Sequence, residues 1–245
     1  MLSLSPQILI EWFQQHPPEV LTLSLLLICG VVILGMMRFF GTMGLVVYSA
    51  IAVIVANLQV QTATYYSFFK EPIALGTIVF SSLFFVSGIL TEYYGKKEAQ
   101  KAVWLSFLSM IIVTLFMLIT VGFKPAQGFD EAHKAMCVLF IPAPALIAAS
   151  LIAYTAGQLN DIWIFSALSK FSKGRFLWFR SFTATLIGAF IDNVIFSVLA
   201  WIVFAPSPLP WATVLFTYVL GTYLLRVFVA LVGIPFVYIA RYMIR

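Results

Sequence analysis

The chain has 245 residues, a formal net charge of +5 and a mean hydropathy of +1.05. Only 9% of its residues are Asp, Glu, Lys or Arg, whereas an ordinary soluble domain has about 25%. A water-soluble fold of this length could not bury so many apolar side chains. The apolar runs are also too long and continuous for the alternating strands of a membrane barrel. We therefore predict an all-α, polytopic membrane protein whose surroundings are the lipid bilayer.

Seven apolar runs have about the length that spans 30 Å of hydrocarbon. In chain order they cover residues 20–37, 42–58, 72–90, 103–122, 143–167, 181–203 and 211–236. The fifth run could also be placed at 135–156, but Pro142 and Pro144 suit the first turn of a helix better than its interior. We predict about seven transmembrane helices, with six as the lower count, in one membrane domain over residues 1–245.

The basic residues predict the orientation of these spans, because cytoplasmic loops are enriched in Lys and Arg. With the N-terminus outside, ten basic residues lie on the inner side and three on the outer side. The inner ones are Arg38, Lys96, Lys97, Lys101, Lys170, Lys173, Arg175, Arg180, Arg241 and Arg245; the outer ones are Lys70, Lys124 and Lys134. We expect a cytoplasmic C-terminus. The positive charge then reflects membrane topology, and nucleic-acid binding is not needed to explain it.

The sequence offers no metal centre, cofactor site or catalytic motif. Cys29 and Cys137 lie in apolar stretches, and His16 and His133 lie in loops without companion ligands. No H-E-x-x-H, G-x-S-x-G or glycine-rich phosphate loop is present. Two aspartates at membrane depth raise the alternative of an intramembrane aspartyl protease, but its Y-D and G-x-G-D contexts are absent. We expect that the protein is not an enzyme.

The stretch "AGQLNDIWIF", residues 156–165, is unusually polar for a membrane helix. "DIWIFSAL", beginning at Asp161, is echoed by "DNVIFSVL", beginning at Asp192; both read D-x-x-I-F-S-x-L. An internal repeat would place the two copies on spans five and six, running in opposite membrane directions. That arrangement is typical of the paired half-sites of transporters built from inverted repeats.

Charged groups inside spans are costly and therefore mark functional or structural contacts. Counting 1.5 Å per residue places Asp192 and Arg226 at about the same depth, so we predict that they pair. The pair could be a static bridge between spans six and seven, or part of a ligand cavity or gate. Gln158 and Asp161 share one helix face. Trp163 and Phe165 are candidate stacking platforms beside Asp161.

Carboxylates, amides and aromatic rings in a dry cavity suit a planar heterocycle with a guanine-like edge. A carboxylate accepts from its ring N–H and amino group, an amide donates to its carbonyl, and an aromatic ring stacks on its face. Folates, flavins and nucleosides would satisfy the same logic. The residues alone leave these ligands open.

Four segments resemble one known family, the queuosine precursor transporters, also called vitamin uptake transporters. "ILTEYYGKKEAQKAVW", residues 89–104, is similar to its D-I-L-T-E-x-Y-G-x-x-x-A segment, and "AGQLNDIWIFSAL" to its G-Q-x-x-D-x-x-x-F segment. "LWFRSFTATLIGAFIDNVIF", residues 177–196, resembles its L-W-x-R-N-N-x-S-T-x-x-S-Q-x-x-D-x-x-x-F segment, and "IPFVYIAR" its T-P-x-x-Y ending. The four segments follow the family's order along the chain.

The resemblance implies a multi-pass importer in the cell (inner) membrane for a 7-deazaguanine base: 7-cyano-7-deazaguanine, its aminomethyl relative or queuine. The base would be salvaged for tRNA modification. Together with the aromatic platforms named above, the candidate substrate-binding residues are Asn57, Glu92, Gln158, Asp161, Trp163, Phe165, Arg180, Asp192 and Arg226. The chain departs from the family pattern at Gly88, Ser181, Phe182, Ala189 and Gly233. These lost polar groups make a bulkier base such as queuine a candidate.

Two modes of transport stay open at this stage. The protein could be a self-sufficient secondary transporter, coupled to protons through Asp161, Asp192 or Glu92. Alternatively it could be the substrate-binding membrane subunit of an ATP-driven uptake complex, for which an A-x-x-x-A pattern at Ala52 and Ala56 would form a docking surface. Homo-oligomerisation is equally open.

Overall fold

The computed structural model of the chain describes residues 6–68, 72–141, 143–205 and 207–244, without the side chains of 143 and 144. The chain is helical along most of its length. The helices are α1 (Pro6–Gln14), α2 (Pro18–Gln59), α3 (Gly76–Tyr93), α4 (Lys96–Gly122), α5 (Asp130–Phe140), α6 (Ala143–Phe171), α7 (Leu177–Val198), α8 (Trp211–Thr213) and α9 (Thr222–Met243). A two-stranded hairpin, β1 (Ala63–Thr64) and β2 (Ile73–Ala74), lies between α2 and α3.

Polar and apolar side chains are distributed as a membrane protein requires. The interior holds charged residues, with Asp161, Arg180 and Asp192 each 1% exposed. The outer face of α4 is apolar, with Leu108, Phe116 and other large side chains exposed. Such a surface is stable against hydrocarbon, where it needs no hydrogen bonds. The all-α membrane class predicted from composition is confirmed.

Helix α2 reverses direction at Gly41, which has φ +60° and ψ −136°, a conformation open almost only to glycine. A Cβ placed on Gly44 would collide with the carbonyl oxygen of Met36, eight residues earlier in the chain. In a straight helix those residues would be about 12 Å apart. The two arms of α2 therefore form an antiparallel helical hairpin, and they match the first two predicted spans.

Five helices are long and apolar enough to cross a membrane, or six if α5 and α6, bent by 43°, form one span. This count takes α2 as one helix. The arms on either side of Gly41, residues 18–40 and 42–59, are about 34 and 27 Å long, so each can span by itself. Counting them separately gives the six to seven spans predicted. The orientation of the two termini relative to the membrane stays a prediction.

Several elements were not predicted. The β1–β2 hairpin occupies the start of the third apolar run, so α3 begins at Gly76 rather than 72. Helices α1 and α5 are separate short helices. Lys70, Pro142 and Arg245, which entered the sequence predictions, lie outside the described residues, as does the side chain of Pro144.

Helices α6 and α7 are antiparallel neighbours that pack at two glycines. A Cβ on Gly157 would lie 2.6 Å from the Cβ of Asp192, and a Cβ on Gly188 would lie 2.9 Å from that of Asp161. The contacts are reciprocal: each glycine faces the aspartate of the other helix. Both helices thus read G-x-x-x-D-x-x-x-F in an inverted arrangement, which extends the echo noted in the sequence.

Candidate functional site

A cavity of about 200 Å³ lies between the second arm of α2, the β hairpin, α3, α7 and α9. Three of the predicted site residues line it: Asn57, Asp192 and Arg226. The remaining wall is largely uncharged, and the lining side chains used below are Thr77, Phe80, Asn193, Phe196, Trp201, Tyr218 and Thr222. Buried polar groups among aromatic and small residues are typical of a small-molecule site.

The floor of the cavity is an ion pair between α7 and α9. Arg226 Nη1 donates to Asp192 Oδ2, and both side chains are less than one-tenth exposed. The guanidinium also lies over the ring of Phe80, 5.5 Å from its centroid. This cation–π contact and the carboxylate fix the plane of the arginine. The predicted contact between Asp192 and Arg226 is therefore present in the structure.

Both members of the pair keep one buried hydrogen-bonding atom without a protein partner. Asp192 Oδ1 is an unused acceptor, and Arg226 Nε is an unused donor. Such atoms are rare in folded proteins because an unsatisfied buried polar group costs about 1–3 kcal/mol. Both atoms belong to residues that line the cavity.

Aromatic rings form the upper wall. The rings of Trp201 and Tyr218 lie 4.8 Å apart at an angle of 32°. Each belongs to a π-helical segment, Leu199–Val203 after α7 and Val214–Gly221 before α9. π-Helical turns are uncommon and often occur at functional sites. Trp201 and Tyr218 did not stand out in the sequence, because rings near the outer span ends look like an interfacial aromatic belt.

Asn193 of α7 stabilises the aromatic wall of the cavity through hydrogen bonds to the segment before α9. Its Nδ2 donates to the carbonyl of Val219 at 2.6 Å, and its Oδ1 accepts from the Thr222 hydroxyl at 2.9 Å. The irregular backbone before α9 is thereby held against α7. Asn193 directly follows Asp192 in "FIDN", so its polarity is visible in the sequence, although Asn193 is not among the predicted site residues.

The β hairpin covers the mouth of the cavity with Ala63 and Ala74. The chain beyond β1 is fastened to the start of α2: the Ser67 N–H donates to Glu19 Oε1 at 2.6 Å. The Tyr66 and Thr22 hydroxyls are also hydrogen-bonded, at 2.8 Å. The residues that line the cavity lie at the end of the bundle where α3 and α9 begin.

Gln158 and Asp161 lie outside this cavity. Asp161 is enclosed between α6, α3 and α7, where it accepts from Ser87 Oγ at 2.5 Å and from Thr185 Oγ1 at 3.4 Å. Gln158 lines a separate small cavity of about 10 Å³ together with Ser87 and Tyr154. The structure thus separates two polar residues that the sequence analysis grouped with Asp192 in one site.

Arg180, which is buried, and Glu92, which is partly buried, form a second cluster at the other end of the bundle. Arg180 donates to both Glu92 carboxylate oxygens, at 2.7 and 3.0 Å, to Ser169 Oγ at 2.7 Å and to the Gly174 carbonyl at 3.1 Å. Its guanidinium lies 5.2 Å from the centroid of Phe165. These three residues hold α3, α6 and α7 together and do not line the cavity.

Trp163 does not stand beside Asp161 either. Its side chain is 60% exposed, on the outer surface of α6. Two residues along a helix correspond to a rotation of about 200°, so Trp163 faces away from Asp161. Neither Trp163 nor Phe165 can stack on a ligand in the cavity described above. The aromatic residues that line the cavity are Phe80, Phe196, Trp201 and Tyr218.

The chain is similar to known proteins along most of its length. The model of the family described as "Putative vitamin uptake transporter" matches residues 74–240. The chain belongs to the vitamin uptake transporter family. This vitamin uptake transporter is 32% identical over 215 residues to the "Probable queuosine precursor transporter" of Bacillus subtilis (strain 168), covering 87% of the chain and 90% of that relative.

A second relative of this vitamin uptake transporter is the "Probable queuosine precursor transporter" of Haemophilus influenzae (strain ATCC 51907 / DSM 11121 / KW20 / Rd). It is 22% identical over 126 residues, covering 51% of the chain and 51% of that relative. No solved structure matches the chain. The family resemblance drawn from the four sequence segments is confirmed, and the transporter is a multi-pass membrane protein.

The A-x-x-x-A pattern of this transporter is buried inside the chain itself. Ala52 and Ala56 are each 2% exposed, and a Cβ on Gly76 of α3 would collide with the Ala56 carbonyl. These alanines pack α2 against α3. They therefore cannot serve as a docking surface for an ATP-driven partner.

Proposed function

We propose that the protein imports a 7-deazaguanine base, a precursor of queuosine, and binds it in the cavity above Asp192 and Arg226. The family and the name given to the Bacillus relative point to this substrate class. The observation that carries the proposal is the pair of unused atoms at the cavity floor, Asp192 Oδ1 and Arg226 Nε.

The hydrogen-bonding edge of a guanine-like base presents a carbonyl acceptor beside N–H donors on the ring and the exocyclic amine. An aspartate acceptor beside an arginine donor is the complement of that edge. In our proposal Asp192 Oδ1 accepts from the exocyclic amine, and Arg226 donates to the carbonyl. The ring face packs against the aromatic wall around Trp201 and Tyr218. Asn57, whose Nδ2 donates to the Val53 carbonyl at 2.8 Å, borders the same space.

The size of the cavity bears on which base is carried. At about 200 Å³ it is smaller than the 300–1,000 Å³ typical of drug-sized ligands. The space suits a bare heterocycle with a short substituent. We therefore propose the cyano and aminomethyl bases as substrates ahead of queuine, whose cyclopentene ring needs more room.

Binding to the purified protein in detergent tests the proposal. 7-Cyano-7-deazaguanine should bind, and its analogue lacking the exocyclic amine should bind about ten- to a hundredfold more weakly. The reason is that a hydrogen bond to a charged partner in a dry site contributes about 1.5–3 kcal/mol. Asp192→Asn should weaken binding of the parent base by the same factor and narrow the difference between the two ligands. Wild-type affinity in a folded Asp192→Asn protein would contradict the proposed site.

The surroundings of the protein form part of the proposal. We place the transporter, as one domain, in the cell's inner membrane with its C-terminus in the cytoplasm, because that orientation follows from the basic residues. The cavity then lies toward the outer side of the membrane, as uptake requires. Its partner is the small purine-like base, and salvage for tRNA modification is the biological role.

A further inference from the structure

Two carboxylates, those of Asp161 and Asp192, are buried between the helices, and that of Glu92 is partly buried; the three differ in their partners. Glu92 pairs with Arg180, and Asp192 pairs with Arg226. Among the described residues, no ion pair involves Asp161. Its side chain is 1% exposed and accepts hydrogen bonds from the hydroxyls of Ser87 and Thr185. A buried carboxylate without a cation is costly in an apolar medium, so protonation stabilises this position.

None of the other charged and titratable groups described on the helices around Asp161 forms an ion pair with it. On α3, α6 and α7 they are Glu92, Tyr93, Tyr154, Lys170, Arg180 and Asp192. Glu92 pairs with Arg180, Asp192 pairs with Arg226, and the Tyr93 hydroxyl donates to the Val237 carbonyl. Lys170 is exposed at the end of α6, and Tyr154 is uncharged near neutral pH. Asp161 can therefore gain or lose a proton without breaking an ion pair.

Ser87 can serve both protonation states of Asp161. Its hydroxyl has a single proton and lies 2.5 Å from Asp161 Oδ2 and 3.1 Å from the Phe84 carbonyl. It donates to the carboxylate when Asp161 is ionised. When Asp161 is protonated, the carboxyl O–H donates to Ser87, whose own proton is then free for the carbonyl.

A small cavity adjoins this pair. Ser87 lines this cavity of about 10 Å³, whose other walls include Leu90 and Ala102. The space is about the smallest that can hold one water molecule. Ser87 therefore contacts both Asp161 and a space for one water molecule.

Asp161 is connected to the ligand cavity through the direct packing of α6 against α7. Asp161 of α6 lies against Gly188 of α7, and Asp192 of α7 lies against Gly157 of α6. On each helix the glycine and the aspartate are about one helical turn apart. The charge on Asp161 therefore lies at the closest contact between α6 and α7, and α7 carries Asp192 of the ligand cavity. The inverted repeat thus provides one aspartate with an arginine and one without.

We propose that Asp161 is the proton-carrying residue that couples import of the base to the proton gradient, an inference that rests on the proposed function. On the outward-facing side the Asp161 carboxylate forms an O–H bond with a proton from the outer water. After the conformational change that bond breaks, and the proton passes to the inner water. One proton enters with each base, and the base itself is unchanged.

Uptake by proteoliposomes of the purified protein tests this inference. Radiolabelled 7-cyano-7-deazaguanine is the probe, because it is neutral and carries no charge of its own. Counterflow without any gradient measures transport of the base. A pH gradient, acid outside, measures coupling, and an enclosed pH dye reports proton entry. In wild type the gradient should raise initial uptake at least fivefold and acidify the interior only when the base is present.

Asp161→Asn should keep counterflow within about twofold of wild type and lose both the stimulation and the acidification. Counterflow in wild type with no response to the gradient would overturn the coupling and leave the proposed function standing. Gradient-stimulated uptake by Asp161→Asn would overturn the role of Asp161. Absence of counterflow in wild type would contradict the proposed function itself.

Ser87→Ala provides a second test that does not require Asp161→Asn to fold. Removing the donor disfavours the ionised carboxylate, so the external pH of half-maximal uptake should move upward. Ser109→Ala is the matched control, because Ser109 donates to the Leu105 carbonyl on an exposed face of α4. An identical pH profile for Ser87→Ala and Ser109→Ala would overturn the inference.

Discussion

Asp192 and Arg226 were matched in the sequence by depth alone, and the structure brings them into contact. Losing one partner of a buried ion pair leaves a charge without compensation, which costs about 3–5 kcal/mol. We expect Asp192→Asn and Arg226→Gln each to lower the melting temperature in detergent. The double variant should lose less than the sum of the two single variants. Strictly additive losses would show that the residues do not stabilise each other.

Arg180 gives a second prediction at the residue scale. Its planar guanidinium makes four hydrogen bonds to three different residues. Lysine keeps the charge but cannot reproduce this fork. Arg180→Lys should therefore lower the free energy of unfolding by about 2 kcal/mol, measured as a fall in melting temperature. Arg175→Lys, at an exposed position in the preceding loop, should change nothing. Equal stability of the two variants would rule out a structural role for the cluster.

Some side chains of the cavity could be predicted from the sequence, and others could not. Burying a charge in a membrane is so costly that the pairing of Asp192 with Arg226 could be predicted from the sequence. Aromatic side chains carry no such signal, because the same rings serve lipid, interface and ligand. Trp163 was therefore chosen over Trp201 because of its closeness to Asp161 in the chain. Arg180 was named, but its pairing with Glu92 depends on how α3 meets α7.

At the scale of elements, the crossing of α6 and α7 depends on two glycines. Gly157→Ala would bring a methyl group to 2.9 Å from the Gly188 carbonyl oxygen, a backbone atom that cannot move aside. Overpacking of this kind costs about 1–3 kcal/mol. We expect a lower melting temperature and weaker base binding together. Gly35→Ala is the control, since a Cβ there meets nothing within 4 Å. A Gly157→Ala protein as stable as the control would mean that the helices can separate freely.

The helices themselves were largely predictable, because apolar runs long enough to cross a bilayer have few alternative structures. The β hairpin and the π-helical segments were not. Both lie near the cavity mouth, in stretches where Pro72, Pro208 and Pro210 interrupt the apolar pattern. Such backbone is stable only through tertiary contacts like those of Asn193, and these are invisible in a local sequence pattern.

For the whole molecule, the predicted orientation can be tested by chemical labelling. In a variant with Cys29 and Cys137 replaced by Ala, single cysteines at Gln127 and Arg175 occupy exposed loop positions. We expect a membrane-impermeant reagent added to intact cells to label position 127 and not 175. Labelling of both should appear once the membrane is permeabilised. Labelling of 127 and 175 from the same side would contradict the topology.

The reversal at Gly41 bears on how the protein enters its membrane. The two arms of α2 are joined with almost no loop, and Arg38 lies just before the turn. The first arm cannot settle in the bilayer as a finished span while the second is still being synthesised, since the turn holds both together. The arms should insert as a pair. A chain extension placed at the turn should then disturb the insertion of both arms.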